Sequence, residues 1–302
     1  MLMRPDAAAP DIRAIDALVR MALAEDAPWG DITAQALIPA DARVTARLVA
    51  REDGVLCGEA LFTAAMRLTG DVHVRFALHD GEPFTRGAEI ATVEGNARAI
   101  LTAERVALNF TQRLSGIATL TAKYVRATEG THARIVDTRK TTPGLRLFER
   151  YAVRCGGGHN HRFSLSDAMM AKDNHLAILT RSSDQTGARD LNTALREAFA
   201  ALPHTTHKEV EVDRLDQIGP VLASSVDTIM LDNFSLEDMR VGVALIRERS
   251  NGHVLIEASG NVNLDTVRSI AETGVDIISV GALTHSVRAL DLGLDIRTQA
   301  EA

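Results

Sequence analysis

The residues best suited to chemistry stand where short apolar runs stop. Ala133–Val136 runs into Asp137, Thr138, Arg139 and Lys140, and Ala168–Ala171 runs into Lys172, Asp173, Asn174 and His175. A third run carries Glu209, Glu211 and Asp213, and a fourth ends in Asp232 and Asn233. Glu257 leads into Ser259, Gly260 and Asn261, and the last run closes on Ser279, Val280 and Gly281. At any one such end, Asp and Asn serve as turn formers or helix caps. Half a dozen in series imply more, because parallel strands of an α/β fold all end at one mouth, where ligands bind.

The clusters sort by charge. Arg139, Lys140, Arg162 and Lys172 form a cationic group, and guanidinium pairs bidentately with carboxylate or phosphate while lysine adds a movable point charge. Glu211 and Asp232 form a carboxylate pair. Carboxylates facing a polyphosphate act through Mg²⁺, which takes one or two of them plus phosphate oxygens and water. Ser259–Gly260–Asn261 and Ser279–Val280–Gly281 read as small turns just before helices, where backbone N–H groups cradle phosphate. The expected ligands are an anionic organic acid and a phosphorylated, Mg²⁺-bound second substrate. The His159–Asn160–His161 run could suggest a metal site or nuclease, but two histidines spaced by two are a weak signal without further ligands. Cys57 and Cys155, far apart in sequence, make neither a disulfide framework nor a metal knuckle and read as reduced thiols.

The elements that must position these groups follow from spacing. Asp11 can cap a helix carrying Ile12, Ile15, Leu18, Val19 and Leu23 after a short disordered start. Strands are expected at Val44–Val49, Val55–Leu56, Val72–Phe76 and Glu89–Val93, with a helix at Glu59–Leu68, giving an α+β module with an antiparallel sheet. Ala97–Glu129 reads as long helical stretches bridging two domains, with a break at Gly116. Beyond it, strands at Ala133–Val136, Ala168–Ala171, Val210–Val212, Thr228–Leu231, Val254–Glu257 and Ile277–Val280 alternate with helices at Asp190–Leu202, Leu236–Arg249 and Leu264–Thr273. That alternation predicts a parallel sheet with right-handed crossovers, as a small or incomplete barrel or an open sheet. The net charge of −7 over 302 residues argues against a general nucleic-acid binder. No apolar run is long enough to span a bilayer, and the N-terminus turns acidic too early for a secretory signal, so a cytoplasmic protein is expected.

Several stretches, in order and over nearly the whole chain, resemble quinolinate phosphoribosyltransferase. They are Glu25–Thr33 (EDAPWGDIT), Leu101–Thr121, Val136–Gly144 (VDTRKTTPG), Val153–Arg162 (VRCGGGHNHR), Lys172–His175, Glu209–Asp213, Leu231–Asn233 and Ser279–Ser286. The resemblance implies an α/β fold, with an N-terminal α+β open-faced sandwich over residues 1–114 and an incomplete α/β barrel over 115–288. A C-terminal tail, 289–302, would return to the first domain. It implies a homodimer with composite active sites. Quinolinate would be bound by Arg105 (from the partner subunit), Arg139, Arg162 and Lys172, with Thr138, Lys140 and His161 nearby. Lys140, Lys172, Glu211 and Asp232 match the catalytic set, the two acids facing the ribose and Mg²⁺ mostly through substrate and water. Ser259, Gly260, Asn261, Ser279, Val280 and Gly281 match the 5′-phosphate loops. Ser164–Leu165–Ser166 replaces a more usual glycine- and tyrosine-containing stretch, and Asn261 stands where many relatives have glycine.

The activity implied joins quinolinate to phosphoribosyl pyrophosphate with loss of CO2, giving nicotinate mononucleotide and pyrophosphate in NAD biosynthesis. The rivals are a related phosphoribosyltransferase for another base, such as nicotinate or the substrate of the homologous molybdenum-operon protein, and a catalytically silent phosphate-binding regulator. The intact cationic set favours quinolinate over another base, and retention of Lys140, Lys172 and Glu211 argues against the silent regulator.

Overall fold

The computed structural model describes residues 9–180 and 190–297. The disordered start expected before Asp11 lies outside them, apart from its last two residues. The chain forms two compact units: Met1–Ala122 with Thr141–Gly158 and Leu283–Ala302, and Lys123–Lys140 with His159–Ala282. In chain order the elements are α1 (Ile12–Asp26), α2 (Ile32–Leu37), β1 (Arg43–Ala50), β2 (Gly54–Val55), α3 (Glu59–Thr69), β3 (Val72–Phe76), β4 (Pro83–Phe84), β5 (Glu89–Asn96) and α4 (Ala97–Ala127). Then come β6 (Arg134–Val136), α5 (Arg146–Cys155), β7 (Met169–Ala171), α6 (Asp173–Leu179), α7 (Leu191–Ala200), β8 (Lys208–Val212), α8 (Ile218–Leu222), β9 (Thr228–Asp232) and α9 (Leu236–Ser250). The chain finishes with β10 (Leu255–Ser259), α10 (Val267–Ala271), β11 (Ile277–Ser279), α11 (Ala282–His285) and β12 (Leu292–Arg297).

The first unit is built on an antiparallel sheet in the order β12-β1-β5-β3. Asp11 caps α1 by accepting the Arg13 N–H at 2.8 Å, and α1 packs on α3. On α3, Leu61, Phe62, Ala65 and Met66 are buried. Phe62 meets Phe76 of β3 edge to face, centroids 5.8 Å apart, an arrangement worth about 0.5–1.5 kcal/mol beyond simple burial. The break expected at Gly116 does not occur, since α4 runs unbroken from Ala97 to Ala127. The glycine is there for space: a Cβ at 116 would lie 2.2 Å from the Arg288 carbonyl oxygen.

The second unit is an open, wholly parallel sheet in the order β6-β11-β10-β9-β8-β7, flanked by helices. All six expected strands are present. Asp190 caps α7 through the Thr193 N–H at 3.0 Å. The helix expected over Leu264–Thr273 shrinks to α10, because the Asn263 carboxamide captures the N–H groups of Asp265 and Thr266 and holds them in a turn. Among the described residues, no helix is long and apolar enough to cross a membrane.

Candidate active site

Strand register decides which strand-end residues share a face. Side chains alternate along a strand, so β8 puts Glu209 and Glu211 on one side and Val210 and Val212 on the other. The ladders pair Met170 with Glu209, Glu211 with Met230, Met230 with Glu257, Glu257 with Ile277, and Ser279 with Val136. Continuing the alternation adds Lys172, Asp232 and Ser259 to the same face. The opposite face is apolar and buried, with Val210, Val212, Ile229, Leu231, Ile256, Ala258 and Ile278. A covered parallel sheet is ordinarily apolar on both faces. Here one face carries charge, which marks it as the working side.

A cavity of about 280 Å³ opens there, lined by Thr138, Arg139, Lys140, His161, Arg162, Met170, Lys172, Met230, Glu257, Ser259 and Ser279. Eight of the residues expected from sequence thus converge on one wall. Burial and the neighbouring Arg139 charge hold the Arg162 guanidinium below its ordinary pKa, as expected where cations are crowded and an anion would relieve them. Arg162 is also tethered, its Nη1 donating to the Ala168 carbonyl at 2.9 Å. Lys172 Nζ lies 2.7 Å from Glu211 Oε2.

The His159–Arg162 segment is hung on β6. Its His159 N–H donates to the Ile135 carbonyl at 2.8 Å, and the Asp137 N–H donates back to the His159 carbonyl at 3.2 Å. Asp137, wholly buried, accepts from Asn160 Nδ2 at 2.5 Å and from the His161 N–H at 2.8 Å. Among the described residues, His161 of this run falls in a cluster of three possible metal ligands, with Glu209 and Glu257 rather than with His159.

Sequence reasoning placed Glu209 and Glu257 at strand ends but gave them no role. His161 Nε2 lies 3.2 Å from Glu209 Oε2 and 3.4 Å from Glu257 Oε2. Both carboxylates are almost fully buried, and each leaves its Oε1 without a hydrogen-bond partner. Burial opposes charge on the ring, but the hydrogen bonds and charges of the two carboxylates outweigh it and push His161 up to about 10. Burial, then the Glu257 charge, raises Glu209 as well. The cluster therefore keeps an extra proton at neutral pH. His161 Nδ1 already accepts the Arg162 N–H at 2.7 Å, so that proton resides among Nε2 and the carboxylates. The three donor atoms lie within 4.8 Å of one another, but a retained proton opposes a cation there. The signal available in sequence was the alternation in Lys208–Val212 (KEVEV), which puts two glutamates on one strand face.

The remaining expected residues are distributed around the cavity or away from it. Asp232 stands level with Ser259 across β9 and β10, and its Oδ2 accepts from Asn233 Nδ2 at 2.7 Å. Glu211 and Asp232, on adjacent strands and the same face, are hard oxygen donors of the kind Mg²⁺ takes. Gly260 (φ +92°) and Asn261 (φ +49°) are left-handed. A Cβ at 260 would fall 2.1 Å from Asn233 Oδ1, whereas asparagine tolerates the left-handed region, which accounts for Asn261 in place of glycine. Ser279 borders the cavity, but Val280 turns into the core and its N–H donates to the Val136 carbonyl at 3.0 Å. Gly281 directly precedes α11, whereas α10 begins only at Val267, well after Asn261, so the first turn does not abut a helix. Arg105 lies exposed on α4 in the first unit.

Comparison with known proteins matches two family models in succession: quinolinate phosphoribosyl transferase, N-terminal domain, over residues 31–115, and its C-terminal domain over 117–295. A nicotinate-nucleotide pyrophosphorylase [carboxylating] of Mycobacterium leprae is 44% identical over 282 residues, covering 92% of this chain and 95% of that one. A probable one from Bacillus subtilis is 39% identical over 280 residues, covering 92% of each. The solved nicotinate-nucleotide pyrophosphorylase of Francisella tularensis superposes with a TM-score of 0.86 at 39% identity, covering 96% of this chain and 98% of that one. Sheet order, a cationic cavity at the strand ends and end-to-end sequence likeness lead to one assignment: the chain belongs to the quinolinate phosphoribosyltransferase family.

Proposed function

We propose that this chain transfers the phosphoribosyl group of phosphoribosyl pyrophosphate to the ring nitrogen of quinolinate, releasing pyrophosphate and then CO2 to leave nicotinate mononucleotide for NAD synthesis. The observation that carries this reading is the convergence of Arg139, Lys140, Arg162 and Lys172 on one small cavity. Its volume sits near the roughly 300 Å³ lower end for ligand pockets, the scale of a single-ring acid. A dianion can pair with more of such a set than a monoanion can. Met170 and Met230 supply apolar, polarisable wall for an aromatic ring.

In this reading the basic residues hold the carboxylates and direct the ring nitrogen at C1 of the ribose. Glu211 and Asp232 stabilise the positive charge that develops on the ribose as pyrophosphate leaves. The pyridinium formed then accepts the electrons left when the 2-carboxylate departs, so no side chain acts as a covalent nucleophile. Glu211 and Asp232 would hold Mg²⁺, mostly through substrate and water, and the ion would offset charge on the leaving pyrophosphate. Ser259, Gly260 and Asn261, with Ser279 and Gly281, take the 5′-phosphate, while the Val280 N–H is engaged by the Val136 carbonyl of β6. Arg105 completes the quinolinate pocket of the partner subunit in a two-fold dimer. A cytoplasmic location fits this soluble chemistry.

The test is turnover of the purified protein with phosphoribosyl pyrophosphate, Mg²⁺ and either quinolinate or nicotinate, repeated after exhaustive chelation. Mononucleotide is expected from quinolinate alone and only with the metal. Equal turnover of nicotinate would overturn the substrate reading, and full turnover after chelation would overturn the roles of Glu211 and Asp232.

A further inference from the structure

We infer that Cys57 and Cys155 are a modification site, joined reversibly as an internal disulfide when the protein meets a peroxide. They are the chain's only cysteines, roughly a hundred residues apart, yet the fold brings both sulfurs and a carboxylate oxygen of Asp80 within 4.8 Å of one another. All three residues belong to the first unit.

The surroundings hold this pair in place. Cys57, wholly buried between β2 and α3, has its peptide pinned to α4: its N–H donates to Ser115 Oγ at 3.0 Å, and that hydroxyl donates to the Cys57 carbonyl at 3.1 Å. Cys155 ends α5 and is half-buried. One turn earlier on the same helix, Tyr151 donates its hydroxyl to Asp80 Oδ2 at 3.0 Å. Asp80 Oδ1 accepts the N–H groups of Gly58 and Glu59 at 2.8 and 3.1 Å. Asp80 thus ties the start of α3 to α5, and each sulfur sits on one of the two tied segments. A cavity of about 340 Å³ is lined by Asp80 and Tyr151, the two residues that link the segments carrying the sulfurs.

Two other readings of the cluster are weaker. A bound metal would compete for Asp80 oxygens that both already accept hydrogen bonds. Two inert packed thiols would have no need to touch. Cys155, the less buried thiol, meets the oxidant first. Its sulfur attacks one peroxide oxygen, the O–O bond breaks, and Cys155 becomes a sulfenic acid with release of water. The Cys57 sulfur then displaces hydroxide from Cys155, and the hydroxide takes the Cys57 proton. Two thiols and one hydrogen peroxide give one disulfide and two waters. The sulfurs, within 4.8 Å of each other, must close to about 2.05 Å.

The experiment uses the full chain, treated with hydrogen peroxide, alkylated, and digested without reductant for peptide mapping, beside thermal melts with and without dithiothreitol. We expect one linked pair of peptides carrying Cys57 and Cys155, with the loss of two hydrogens. The melting temperature should rise by roughly 5–10 °C, because the bond closes a long loop in the unfolded chain, and dithiothreitol should reverse it. Cys155→Ala and Cys57→Ala should each abolish both signals. Oxidation that stops at a sulfinic acid on Cys155, or a bond between two copies of the chain, would overturn the proposal. The wild-type mapping decides the matter even if Cys57→Ala fails to fold.

Discussion

Removing Lys172 should separate its two roles. Its Nζ is 2.7 Å from Glu211 Oε2, with the lysine side chain 44% exposed and the glutamate 12%. Lys172→Ala leaves Glu211 largely out of water and without the cation it is paired with. Breaking a fully buried pair on one side costs roughly 3–5 kcal/mol, and an exposed pair is worth roughly 0–1. With one partner half wetted, about 1–2 kcal/mol of stability should be lost. The catalytic loss should be larger, since a charge-assisted contact to the substrate contributes about 1.5–3 kcal/mol, or roughly tenfold to over a hundredfold in kcat/KM. Lys172→Ala with Glu211→Gln supplies the control. Removing the stranded charge should restore most of the stability, measured by urea denaturation, while turnover stays low. Because Glu211 is itself a site residue, the double variant reads stability only, and unimpaired turnover in Lys172→Ala would remove Lys172 from the site.

Three further outcomes follow from the same geometry. The His161–Glu209–Glu257 cluster binds protons more tightly folded than unfolded, with His161 up to about 10 against an ordinary 6.5 and Glu209 also raised. The stabilising contribution of His161 is fully present below pH 6.5 and lost as pH rises toward 10, so melting temperatures should fall across that window and fall less in Glu257→Gln; parallel profiles would contradict this. Gly116→Ala pushes a Cβ to 2.2 Å from the Arg288 carbonyl oxygen, and overpacking of that kind costs about 1–3 kcal/mol; a variant that melts like wild type would show that the backbone yields freely. Arg105→Ala and Lys140→Ala dimers should each be poorly active, yet co-refolded heterodimers should regain up to about one intact site each; a verified heterodimer as inactive as its parents would assign Arg105 to its own subunit or to no site.

Most strands were legible because their apolar alternation survives in short runs, and α1, α3, α7 and α9 because their period and caps agree. The helix α5 was not, since Pro143 and Gly144 announce a turn and Glu149 and Arg150 interrupt its apolar face. Only the structure shows why those charges are tolerated: Glu149 is wholly buried and accepts from Arg113 and from both the N–H and hydroxyl of Thr142. The cationic wall was legible because Arg139, Lys140 and Lys172 follow strand ends directly. The glutamates behind His161 were missed as partners because a strand-end rule orders residues along strands, not across them. The contact of Cys57 with Cys155 left no local trace at all, since neither carries a spacing motif.

The central claim is that decarboxylation follows, and depends on, attachment of the ring nitrogen to ribose. It is tested by supplying quinolinate labelled in its 2-carboxylate and following labelled CO2 with and without phosphoribosyl pyrophosphate. Label should leave only when phosphoribosyl pyrophosphate is present, mole for mole with nicotinate mononucleotide and pyrophosphate. Labelled CO2 released without phosphoribosyl pyrophosphate, or a mononucleotide that keeps the label, would contradict it.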